Sequence, residues 1–166
     1  VDNPLTLAQY LTEWLTTKAD LAGGTTMSYE THIRVHLIPH LGRIRLDKLR
    51  VNHIRGMIDA IETQNTKIEA DHLRRVARKT ELNQALEHGD TDQARRLRAR
   101  IKALGVPQRI TGPSTIRRIR ATLSSALTDA VAQMLIPVNP AKRPRGLVWT
   151  QPRVTAWRKT GKKPSP

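Results

Sequence analysis

Apolar residues recur at steps of three and four along Ile116, Ile119, Leu123, Leu127, Ala130 and Met134. Only an α-helix places such positions on one face. Pro113 just ahead is tolerated in a first helical turn, whose N–H needs no partner inside the helix. The same spacing appears after Thr6, a candidate cap, in Leu7, Tyr10, Leu11, Trp14 and Leu15, and predicts a first helix over about 7–18. A second helix, capped by Thr25 or Thr26 after Gly23 and Gly24, buries Tyr29, Ile33, His36 and Leu37 and ends at Pro39 and Gly42. Leu46 and Leu49 lie in a short connector, and Ile54, Met57, Ile58 and Ile61 predict a third helix over about 51–63. Phe and Cys are absent, and the aromatics are three Trp and two Tyr. The core is therefore built from Leu, Ile, Val and Ala, with no disulfide framework and no thiolate zinc site.

Between the third helix and the 113–134 helix lies a stretch of different texture, about 63–110, dense in both charges and free of proline until Pro107. Ala94, Leu97, Ile101 and Leu104 form a heptad seam, while Ile68, Leu73, Val76, Leu82 and Leu86 give a looser apolar side to the helix before it. Gly89, Asp90 and Thr91 supply a turn and cap between the two. The pattern predicts an inserted antiparallel helical hairpin, with one long helix interrupted at Gly89 as the alternative.

Twenty-nine Lys and Arg against fourteen Asp and Glu leave a formal charge of +15. Self-repulsion on that scale is relieved by a polyanion, and nucleic acid leads the candidates. No run approaches the ~20 apolar residues of a membrane span, and no signal-like stretch opens the chain, so a cytoplasmic location is expected. After Pro137 come Pro140, Pro144 and Pro152 with Lys142, Arg143, Arg145, Arg153, Arg158, Lys159, Lys162 and Lys163, and no acidic residue, which reads as an extended basic linker. The chain runs from Val1 to Pro166 and reads as part of a longer protein.

Two segments carry a family likeness. The first is Thr26-Met27-Ser28-Tyr29-Glu30-Thr31-His32-Ile33-Arg34-Val35-His36-Leu37-Ile38-Pro39-His40-Leu41-Gly42. The second is Ser114-Thr115-Ile116-Arg117-Arg118-Ile119-Arg120-Ala121-Thr122-Leu123-Ser124-Ser125-Ala126-Leu127, followed by Ala130 and the pair Asn139-Pro140. With Leu7, Tyr10, Leu11 and Trp14 ahead of them, they resemble the core-binding, SAM-like N-terminal domain of phage-integrase-type tyrosine recombinases, over about 5–62 and 110–146. The resemblance implies an all-α, four-helix domain spanning 1–146, with 63–110 as an insertion that most members lack and 147–166 as a basic linker. It also implies that this domain embraces one side of a duplex DNA half-site while a separate catalytic domain of the same parent chain closes the clamp, alongside other recombinase protomers. That catalytic domain would hold the Arg, Lys, His-x-x-Arg and Tyr chemistry, so this chain is expected to carry no catalytic centre. His72-x-x-Arg75 and His40-x-x-Arg43 match the spelling of the family's pair but fall in the insertion and at the second helix's exit, and are coincidental. Tyr10 and Tyr29 lie on apolar faces and serve the core.

The remaining chemistry is electrostatic, and no cofactor is expected. On the 113–134 helix the face opposite the apolar stripe holds Ser114, Arg118, Ala121, Thr122 and Ser125, with Thr115 and Arg117 beside it. Small hydroxyls next to arginines allow close approach to a groove, and an Arg fork fits a guanine edge. The second helix offers Thr26, Ser28, Thr31 and Arg34, and the linker offers Lys142, Arg143 and Arg145. His32, His36 and His40 are four apart, a spacing that chelates metals on a regular helix, but Pro39 and the lack of a completing ligand argue against a metal site. A regulatory or architectural DNA-binding protein outside the recombinases is a competing class, as is a helical RNA-binding protein. The first lacks support because no helix-turn-helix spacing appears. Few aromatics weigh against single-strand stacking, though not against duplex RNA.

Overall fold

The structure, a computed structural model, describes residues 4–18 and 23–142. Its elements are α1 (Leu7–Thr16), α2 (Gly23–Thr31), a π-helical stretch (His32–Leu37), α3 (Ile38–Leu41), a 3₁₀ turn (Leu46–Lys48), α4 (Val51–Glu87), α5 (Thr91–Ala103) and α6 (Pro113–Ala132). The chain is all-α, as the periodicity predicts; among the described residues the one extended contact is an isolated antiparallel bridge between Thr6 and Arg45. Contacts group the described residues into two compact units, one within Val1–Ala60 and Gly112–Arg153, the other within Ile61–Thr111.

In the first unit, α1 starts on a capping box: Thr6 accepts from the Gln9 amide, and the Gln9 side chain accepts from the Thr6 amide at 2.9 Å. The helix buries Leu7, Tyr10, Leu11 and Trp14, as its spacing predicts. Buried Tyr and Trp need partners for their polar tips. Tyr10 Oη donates to the Ala126 carbonyl at 2.7 Å, and Trp14 Nε1 donates to Asp129 Oδ2 at 2.7 Å, so both tie α1 to α6. Lys18 completes the cluster, 3.0 Å from Asp129 Oδ2 and 5.3 Å from the Trp14 ring centroid. The Tyr29 ring also packs against Trp14, with centroids 5.3 Å apart and the rings tilted by 40°.

The second helix ends at Gly42 as expected but departs from expectation at its start and at Pro39. Thr25 and Thr26 lie inside α2 rather than capping it, and Pro39 does not end the helix. Instead α2 passes without a break through the π-helical stretch into α3, and Pro39 lies within that continuous run just after the π-helical stretch. A wide turn of this kind inserts one extra residue into the helix and shifts which side chains face the core. His32 is thereby buried together with Ile33, Leu37 and Leu41, while His36 is only half-buried. Gly42 ends α3 because nothing larger fits: a Cβ there would lie 2.6 Å from the Ile38 carbonyl oxygen and 3.1 Å from Ala8 Cβ.

The α6 face buries Ile116, Ile119, Leu123, Ala126, Leu127 and Ala130, but Met134 leaves the stripe. Met134 takes the left-handed conformation, φ 58°, and is 92% exposed. The Leu135 amide bonds to the Ala130 carbonyl and the Met134 amide to the Val131 carbonyl, a Schellman closure with Met where glycine is usual. The chain then turns back, burying Ile136 and Ala141. Asn139 fixes this return: its Nδ2 donates to the Ser124 carbonyl and to Thr128 Oγ1, and its Oδ1 accepts from the amides of Ala141 and Lys142.

The third helix does not stop near 63, because α4 runs on as one element to Glu87. No helix-breaking residue lies between Met57 and His88, so nothing local ends it. Gly89, φ +72°, closes α4, and Asp90 caps α5 by accepting from the Gln93 amide at 2.9 Å. The second unit is an antiparallel hairpin: Asn65 pairs with the Thr111 backbone in both directions at 2.8 Å, and Leu82 and Ala85 pack with Ala94 and Leu97. Arg75 lies seven residues from both Ile68 and Leu82, and its Nη2 donates to the carbonyls of Leu104 and Gly105, the open end of α5. The looser apolar side expected at Leu73, Val76 and Leu86 is overturned, since all three are exposed. The hairpin closes instead along the line of Ile61, Ile68, Arg75 and Leu82.

Candidate nucleic-acid interface

α6 presents Ser114, Thr115, Arg117, Arg118 and Ala121 to solvent, and Ser125 is half-buried. Thr122 was expected on this outer face and is turned inward, 3% exposed. Its hydroxyl donates to the Arg118 carbonyl at 3.1 Å and lies 2.8 Å from His32 Nδ1. With the single hydroxyl proton committed to the carbonyl, Nδ1 of His32 is the donor in the second bond. This buried bond joins α6 to the π-helical stretch, and Thr122 is thereby removed from the surface.

Arg118 stands beside this junction. Burial first, and then the Arg118 charge, hold the His32 pKa below its usual 6.5. His36 is lowered as well, by burial and then by the neighbouring His32 and His40. Among the described residues no group of three metal-ligating side chains is assembled.

No carboxylate of a described residue lies within 4.0 Å of Arg117 or Arg118, so both guanidinium groups are available to an anion. Gly112 caps α6 without a side-chain bond, leaving the first-turn amides at Ser114 and Thr115 without intrahelical acceptors, beside their own exposed hydroxyls.

The second helix contributes Ser28, Thr31 and Arg34, all exposed, with Met27 and Val35 beside them at 70% and 57% exposure. Ser28 donates to the Gly24 carbonyl at 2.8 Å and Thr31 to the Met27 carbonyl at 2.9 Å. A phosphate oxygen is an acceptor, so either hydroxyl must rotate away from its carbonyl to bind one. Arg34 pairs with Glu30 at 3.2 Å; both are solvent-exposed, and such a pair is weak. Thr26 is half-buried and donates to the Lys18 carbonyl at 3.2 Å. Lys142 is exposed, while Arg143 and Arg145 lie outside the described residues.

Neither tyrosine is placed for nucleophilic attack. Tyr10 is 3% exposed, and burial, with Asp129 and Glu13 adding to it, pushes its pKa up to about 12. Tyr29 is half-buried against Trp14. The residue that sequence reasoning missed is His32. The signal that could have found it is the histidine spacing itself, which placed His36 on the buried stripe one turn too late because the π turn was not foreseen.

Residues 6–61 match the family model described as the phage integrase, N-terminal SAM-like domain. The likeness over 26–42 falls inside this segment, and the likeness over 114–127 lies beyond it. Among solved structures, the chain is similar to the solution structure of a phage integrase SAM-like domain from Moorella thermoacetica, at 25% identity and a TM-score of 0.48, over 89% of this chain and 93% of that one. No curated protein matches the chain. Among the described residues no helix is long and apolar enough to cross a membrane.

Proposed function

We propose, from the integrase SAM-like match over 6–61, that the first unit is the core-binding domain of a tyrosine site-specific recombinase. It grips one side of a recombination half-site in duplex DNA during integration. The observation that carries this reading is the exposed Arg117 and Arg118 pair on α6, with no carboxylate of a described residue within 4.0 Å and placed beside the buried His32–Thr122 bond. An arginine held on a rigid helix keeps the fixed geometry that base recognition requires, whereas the amides and hydroxyls of Ser114 and Thr115 suit phosphate oxygens. Arg34, Ser28 and Thr31 add a second contact line once their internal bonds are exchanged for phosphate. Strand cleavage belongs to a catalytic domain of the same parent chain, acting with other protomers on DNA in the cytoplasm.

With roughly 4 to 6 phosphates neutralised, the log-log slope of affinity against salt is expected near −4 to −5. A slope near zero refutes the DNA reading. Arg118→Ala is expected to cost about 1–3 kcal/mol on a selected site and much less on random duplex. Equal losses on both duplexes would reduce Arg118 to a phosphate contact.

A further inference from the structure

The helix α5 is more basic than its role in the hairpin requires. Arg95, Arg96, Arg98, Arg100 and Lys102 fall within Thr91–Ala103, against one acidic residue, Asp92. All five cations are exposed. Cations in a last turn are explained by the helix dipole, which accounts for Arg100 and Lys102 but not for Arg95 and Arg98.

The helical period separates these cations into two rows on either side of the buried Ala94 and Leu97 seam. One row, Arg96 and Arg100, borders a cleft that Glu81, Asp90 and Asp92 also line, so its charge is partly balanced. The other row is Arg95, Arg98 and Lys102, spaced by three and four. Its one carboxylate contact among the described residues is Asp92, 3.7 Å from Arg95, with the two side chains 73% and 82% exposed. Past Asp92 in the first turn, the outer crest of the helix beside this row carries Ala99 and Ala103, both exposed. A line of cations next to side chains no larger than a methyl group lets a helix approach a phosphate backbone closely without steric conflict. Guanidinium and ammonium groups alike match phosphate oxygens.

We propose that the Arg95, Arg98 and Lys102 row of α5 is a second duplex-DNA contact, binding the phosphate backbone without reading sequence. The inference rests on the DNA-binding reading of the first unit and extends it to the insertion. It needs charge at these positions and not a particular fork, because no base edge is being read.

The test uses the full chain on a random-sequence duplex, titrated between about 50 and 200 mM salt. Loss of three phosphate contacts in R95Q/R98Q/K102Q lowers the magnitude of the salt slope by about 2 to 3, an affinity drop across that range roughly forty-fold smaller than for the parent chain. R95K/R98K, which keeps the charges, retains the parent slope. A second measurement needs no variant: acylation of Lys102 in the parent chain is suppressed when duplex is bound. An unchanged slope in R95Q/R98Q/K102Q, or full reactivity of Lys102 on saturated duplex, overturns this inference and leaves the first unit's role standing. A near-zero slope in the parent chain overturns both.

Discussion

The bond between His32 and Thr122 is the contact whose removal tests most directly how the two proposed DNA-facing helices are held. His32 is 8% and Thr122 3% exposed, and 2.8 Å separates Nδ1 from the hydroxyl oxygen. Thr122→Val keeps the side-chain shape and deletes the acceptor, leaving a buried imidazole donor unpaired. The expected loss is about 1–3 kcal/mol, the desolvation cost of an unsatisfied buried polar group. For a unit of this size that corresponds to roughly 4–8 °C of Tm per kcal/mol. The Arg118 carbonyl adds little to the loss, because it remains the ordinary acceptor of the Thr122 backbone amide within α6. Thr122→Ser retains the hydroxyl and should lose only the transfer energy of one methyl, about 0.8 kcal/mol. Urea unfolding followed by far-UV circular dichroism measures each variant, and a cycle with His32→Leu isolates the coupling. If Thr122→Val is as stable as the parent chain, or if Thr122→Ser is the worse of the two, the hydrogen bond is not what holds the helices and the reasoning fails.

Three further outcomes are expected. His32 and His36 both have folded pKa values below the ordinary 6.5, so the unfolded chain binds more protons as pH falls. Their contribution to stability is full above about pH 6.5 and is lost toward the lower folded values; Tm should fall between pH 7.5 and 5.5, and a Tm that rises would contradict the burial of these rings. Gly42→Ala forces a Cβ to within 2.6 Å of the Ile38 carbonyl oxygen, and should destabilise by about 1–3 kcal/mol in denaturant unfolding, whereas a neutral substitution would mean that the α1–α3 approach relaxes freely. Replacing 64–109 by a short Gly/Ser linker should leave a cooperative thermal transition, because the bonds of Arg75 and Asp90 stay within the replaced segment and only the Asn65 bonds to the Thr111 backbone are lost at its edge; loss of cooperativity would show that the first unit's core depends on the insertion.

The sequence by itself determined the helical class and most of the core. Period-three-and-four spacing singled out Leu7, Tyr10, Leu11 and Trp14 on α1 and Ile116, Ile119, Leu123 and Leu127 on α6, since an amphipathic helix has one way to bury such a stripe. Gly89 and Asp90 announced the hairpin turn because positive φ and a capping carboxylate are local properties. The exposed cations Arg117 and Arg118 were equally legible, being the residues left over when the stripe is buried. Tertiary structure decided what local rules leave open. The π turn at His32–Leu37 shifts the helical register by one residue, and it buries His32 rather than His36 because the Thr122 hydroxyl stands opposite to receive it. Met134 takes the left-handed cap that sequence reserves for glycine. Ile136 and Ala141 are buried where the chain returns, an arrangement held by Asn139 on Ser124 and Thr128. Long-range partners such as Thr122, Ser124 and Ala126 have no signature in local spacing. Whether a polar residue faces water or a neighbour depends on which element packs opposite, and only the assembled helices determine that.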